Sequence, residues 1–111
     1  MNINEYQEKA RTTRSESIQN NLSYSALGLT GEAGEVADKV KKILRGDFQG
    51  DPERLDAHKM EIAKEIGDVL WYLAAVADDL GVHLDVIAQS NLDKLSSRQQ
   101  RGEIKGSGDN R

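Results

Sequence analysis

Residues 22–44 read LSYSALGLTGEAGEVADKVKKIL, and the fold class turns on what repeats in them. Leu22, Ala26, Leu29, Ala33, Val36, Ala37, Val40, Ile43 and Leu44 recur at intervals of three and four, the period of one face of an α-helix. At the helical rise such a stretch is a rod of about 35 Å. Glu32 and Glu35 interleave with this stripe three residues apart, so they share one side of the helix.

Outward from this stretch the same signal returns. Arg45 to Pro52, RGDFQGDP, supplies glycines past a helix end and a proline suited to the first turn of the next, which predicts a short helix–helix loop. Ile62, Ile66, Val69, Leu70, Leu73, Val76, Ala77 and Leu80 predict a third long helix stopped at Gly81, and Leu84, Ile87, Leu92 and Leu95 a shorter fourth. Before the decisive stretch, Asn2 or Asn4 is suited to cap a first helix carrying Ile3, Tyr6, Ala10 and Ile18, ending near the polar run Ser15 to Asn21. No run of β-branched residues alternates with polar ones, so the chain reads as all-α: a four-helix bundle. Composition divides it into a helical domain over residues 1–98 and a Gly-rich, charged C-terminal tail over 99–111, expected to be flexible.

Fifteen basic against nineteen acidic residues give a net charge of −4, which disfavours nucleic acid and anionic membranes as partners. Apolar residues make up 37% of the 111 and aromatic ones 5%, a thin supply for a short chain burying a core alone. Part of the core is therefore expected between subunits. The absence of cysteine excludes disulfides and thiolate chemistry and agrees with a cytoplasmic protein, and no apolar run reaches the length of a membrane span.

Glu65 and Asp68 on the third helix repeat the acidic spacing of Glu32 and Glu35 on the second. Counted back from the loop joining these antiparallel neighbours, the two pairs sit within roughly 3 Å of the same height. Four facing carboxylates repel one another, and hard divalent cations such as Mg²⁺ answer that repulsion while binding phosphate oxygens. Phosphoanhydride hydrolysis is the chemistry such a site suits. Gly31 and Gly34 beside the acids argue for the close approach of a neighbour. The plainer alternative is solvated surface carboxylates paired with Lys39, Lys42 or Lys64.

The stretches GLTGEAGEVADK at 28–39 and EIGDVLWYL at 65–73 strongly resemble the MazG-like nucleoside triphosphate pyrophosphohydrolases, all-α enzymes marked by ExxE on one helix and ExxD on the next. The likeness covers roughly Tyr6 to Arg98. It implies Mg²⁺, with Mn²⁺ a possible substitute, held by Glu32, Glu35, Glu65 and Asp68, and cleavage of a nucleoside triphosphate to monophosphate and pyrophosphate, including house-cleaning of non-canonical nucleotides. Glu32 or Glu35 is then the general base. Where many relatives carry a further acid this chain has Gly31. The resemblance also implies a homodimer or homotetramer whose sites are completed by partner helices. Asn91, Lys94 and Arg98, on one face of the fourth helix, resemble the polar patch that meets phosphate or sugar, with a solvated basic face as the alternative. Lys39 and Tyr72, each one turn beyond an acid, are further substrate-binding candidates, and Lys105 and Arg111 would act if the tail straps over phosphates. Trp71 reads as core or interface, and His58 and His83 as surface or helix-end residues. Phosphoribosyl-ATP pyrophosphohydrolases and dimeric dUTPases share the acidic framework, so base choice stays open. A non-catalytic helical module binding nucleotide or metal is the competing class.

Overall fold

The computed structural model describes all residues 1–111 and is helical throughout, with no strand: α1 (Ile3–Thr12), a 3-10 turn (Glu16–Ile18), α2 (Leu22–Leu44), α3 (Pro52–Leu80) and α4 (Leu84–Arg101). Each boundary has a local cause. Asn2 caps α1 by accepting from the Glu5 N–H at 2.9 Å while the Glu5 carboxylate accepts from the Asn2 N–H. Asn4 instead accepts from the Asp85 N–H at 3.1 Å, tying α1 to α4. Ile18 lies outside α1, in the 3-10 turn, because the Thr12 and Thr13 hydroxyls donate back to the Lys9 and Ala10 carbonyls, both at 2.7 Å, where the helix ends. Asn21 caps α2 and Asp51 caps α3, with Pro52 in the first turn, and Gly81 closes α3 in the left-handed conformation at φ 71°.

α2 and α3 form an antiparallel hairpin. At its loop end the His58 Nε2 donates to the Lys39 carbonyl at 2.7 Å while the imidazole stacks on Phe48 with centroids 4.2 Å apart. That contact joins the two helices and gives His58 a structural role. α1 lies on the second half of α3, where Ala10, Ala74, Ala77 and Leu84 form the small core, with Ile3, Tyr6 and Trp71 packed against it. Trp71 donates its indole N–H to the Thr13 hydroxyl at 2.7 Å, as a core-edge residue.

The rest of this junction is polar. Arg14 forms a two-pronged pair with Asp79, both N–O distances 2.8 Å, with the side chains only 1% and 2% exposed. Ser25 donates to the same carboxylate at 2.7 Å, and Arg14 holds Asp79 below the usual carboxylate range. Burial would raise the neighbouring Asp78 carboxyl, but Arg11 and Gln7 outweigh it and lower it. Gln7 is fully engaged, donating to Asp78 and to the Val82 carbonyl and accepting from the Leu84 N–H at 2.7 Å.

Beyond its first turn α4 leaves the others: from Asp85 to Ser97 every residue is exposed except Lys94, which is half-buried. The flexible tail expected over residues 99–111 is helical as far as Arg101, and residues 102–111 fold back on the end of this helix in turns organised by Arg111, whose guanidinium donates to the carbonyls of Glu103, Ile104 and Gly108. Nine of the 111 residues are buried. The Cα radius of gyration is 17.3 Å, where a compact chain of this length has about 13 Å.

Candidate functional site

The acidic motifs occupy the middle of the α2–α3 hairpin. Glu32 on α2 and Glu65 and Asp68 on α3 each present a carboxylate oxygen, all within 4.8 Å of one another. Glu32 and Glu65 are half-buried and Asp68 is exposed, so the group opens to solvent on one side. The Glu32 carboxyl is held above its ordinary range, first by desolvation and then by the charges of Asp68, Glu65 and Glu35. One cation reaches the group: Lys39 Nζ lies 3.6 Å from Glu65 across the two helices. Lys39 is thus paired with Glu65 rather than with Glu35, while Lys42 and Lys64 bind Asp38 and Glu61 and leave the three acids alone.

Glu35 is not among the three. A helix turns about 100° per residue, so a step of three falls roughly 60° short of a full turn. With Glu32 aimed at α3, that rotation carries Glu35 to the exposed flank, near enough for its charge to act on Glu32. The glycines are likewise redistributed. Gly31 and Gly34, expected to admit a close neighbour, have nothing within 4 Å of where a β-carbon would stand. The close approach is at Gly28, where a β-carbon would collide with the ring of Tyr72. Tyr72 thereby reaches α2 one turn from Glu32, and its phenol is raised, first by burial and then by Tyr24, Glu32 and Asp68.

Tyr6 is a residue that the sequence reading did not place near the acids. The Tyr6 phenol is raised first by burial and then by the charge of Asp68, so α1 brings a hydroxyl toward the acids. In the sequence Tyr6 is one apolar position among others, and its neighbour in space is 62 residues away.

The basic candidates of α4 are elsewhere in this chain, with no hydrogen bond or ion pair to the acids. Arg98 is 4% exposed and donates to the Asp109 carbonyl at 2.6 Å, and Lys94 pairs with the Asp109 carboxylate at 3.1 Å. Asn91 lies on the exposed side of α4, with Val82, Val86 and Ile87 along the same groove. Lys105 is exposed and Arg111 is enclosed by the tail's own carbonyls. His83 stands at the start of α4 without a capping hydrogen bond.

No helix is long and apolar enough to cross a membrane. A family model described as the MazG nucleotide pyrophosphohydrolase domain matches residues 19–102, a span that takes in α2, α3 and α4. The chain is 51% identical over 90 residues to the Gene 37 protein of Mycobacterium phage L5, covering 81% of this chain and 76% of that one. It is 33% identical over 72 residues to the uncharacterized protein YvdC of Bacillus subtilis (strain 168), covering 63% of this chain and 68% of that one. No solved structure matches.

Proposed function

Because this chain belongs to the MazG nucleotide pyrophosphohydrolase family, we propose that it hydrolyses a nucleoside triphosphate between the α and β phosphorus atoms, releasing monophosphate and pyrophosphate. One observation carries the reading: three carboxylates from two helices converge within 4.8 Å with a single cation, Lys39, beside them. That donor set, all hard oxygen and open on one side, fits Mg²⁺ or Mn²⁺. Glu32, Glu65 and Asp68 would hold the ion, which when bound polarises phosphoryl oxygens and makes water more acidic. Glu35, exposed beside the cluster, is assigned as the base that takes the proton of the attacking water. Lys39 is assigned to a phosphate oxygen once its pair with Glu65 opens, and Tyr72, wedged on Gly28, to the nucleoside side of the cleft.

Asn91, Lys94 and Arg98 are assigned to the substrate's phosphate or sugar, a role that Lys105 and Arg111 do not share while the tail lies folded on α4 and Arg111 is spent on the tail's own carbonyls. Since α4 stands away from the acids of its own chain, the assignment requires α4 of a second copy, in a homodimer or homotetramer. The proposed setting is house-cleaning of non-canonical nucleotides in the cytoplasm. A panel of canonical and modified deoxynucleoside triphosphates incubated with Mg²⁺ tests the reading. Pyrophosphate release from at least one member is expected. No release from any member, with nucleotide still bound, would favour a non-catalytic binding module instead.

A further inference from the structure

The cations of α4 are already occupied. Lys94, Arg98 and Arg101 follow one another at helical spacing, and each meets an oxygen of the tail: the Asp109 carboxylate on Lys94 at 3.1 Å, the Asp109 carbonyl on Arg98 at 2.6 Å, and the Arg111 carbonyl on Arg101 at 2.8 Å. The Asp109 carboxylate also lies 3.4 Å from Arg98. We propose that the segment Gly102–Arg111 is an internal competitor for the anion that this face of α4 binds, and that a polyphosphate displaces it. The proposal rests on the reading above in taking that anion to be the substrate or its pyrophosphate product.

Two features make the contact replaceable. Arg98 is poorly served: its Nε is buried without a partner, and one of its terminal nitrogens makes all three contacts to the tail. A phosphate, with several oxygens around one centre, can take two guanidinium N–H groups at once, which the tail's oxygens do not. The tail is also lightly held. Asp109 is 82% exposed, Ile104 is nearly half exposed, and the loop's shape depends on Gly102 and Gly108 at positive φ and on Arg111 threaded past Gly106. A segment with so little buried apolar surface opens at small cost.

Titration of the full chain with inorganic pyrophosphate in metal-free buffer tests this, because it reads the basic face without turnover. Asp109→Asn removes the competing charge at an exposed position and leaves Lys94, Arg98 and the acids untouched. Exposed ion pairs are individually weak, so pyrophosphate affinity should rise about threefold to tenfold in the variant. In the unaltered chain, pyrophosphate should speed amide hydrogen exchange over residues 103–110. Equal or weaker binding by the variant, no binding by either protein, or slower exchange on adding pyrophosphate would each overturn the proposal. A failure of the hydrolase reading shows separately, as nucleotide turnover absent while the pyrophosphate titration still responds.

Discussion

At the scale of single residues, the three converging acids differ from the fourth, and the difference is measurable. Asp68→Ala removes a ligand and one repulsive charge, so Mn²⁺ binding and pyrophosphate release should both fall at least a hundredfold while circular dichroism is unchanged and metal-free stability holds or rises. Glu35 sits outside the cluster, so Glu35→Gln should lower kcat by about 10²- to 10⁴-fold and leave Mn²⁺ affinity within a few-fold, as read by calorimetry. Loss of metal binding in Glu35→Gln would make Glu35 a ligand after all. The glycines give a second contrast. Gly28→Ala forces a methyl into the Tyr72 ring and should cost about 1–3 kcal/mol in urea unfolding, whereas Gly34→Ala, facing open space, should gain about 0.5–1 kcal/mol from better helix propensity. A loss at Gly34 would mean that a second copy covers that surface.

At the scale of elements, ion pairs from Arg11 on α1 and from Arg14 just past its end fasten this part of the chain to α3, beside a small apolar core. Arg14 holds the Asp79 carboxyl below its usual range, so the folded chain releases that proton more readily than the unfolded one. The pair's contribution is therefore complete above the unfolded carboxylate value of about 3.9 and is lost as pH falls through the lower folded value. Urea midpoints should drop below about pH 4, and Asp79→Asn should flatten part of that drop. Arg14→Ala, which strands a buried carboxylate, should cost about 3–5 kcal/mol near neutrality. An unchanged acid limb in Asp79→Asn would dismiss this account. This junction also marks where reading the sequence stops. The stripes of α2 and α3, the Asn, Asp and Pro at their starts and the glycine at the end of α3 are local signals, and they located both long helices and the level of the acids. Arg14 and Asp79 are 65 residues apart with no periodicity linking them, and the turn that carries Glu35 off the shared face depends on how α2 rolls against α3. A spacing of three fixes which side of a helix two residues occupy, but it does not fix which of them looks at the neighbour. The folded-back tail was illegible for a related reason: composition registers glycine and charge, whereas its shape is made by one guanidinium gathering three carbonyls.

At the scale of the whole molecule, the single chain exposes more surface than a stable monomer does. Its accessible area is 7,828 Å², where a folded monomer of 12.3 kDa has about 6,100 Å². The excess of about 1,700 Å² is roughly twice what one partner contributes to a standard interface. It is apolar where it matters: Leu27 is 75% exposed on α2, Ile66 55% and Leu80 57% on α3, and Val86 52% and Leu92 60% on α4. These positions lie on two arms, the hairpin and α4, so one large interface uniting them or two smaller ones would meet the need. Light scattering at micromolar concentration should accordingly give a mass of two or four chains. Leu27→Asp tests the hairpin and Leu92→Asp tests α4. If either alone reduces the particle to one chain, a single interface spans both arms and the particle is a dimer; if each leaves a dimer, there are two interfaces and the particle is a tetramer. A wild-type particle of one chain with a radius of gyration near 17.3 Å would defeat the assembly, and with it the assignment of α4 to a neighbouring chain's acids. Activity links the two questions, because if α4 completes the site across copies, specific activity must fall with the oligomer on dilution rather than stay constant.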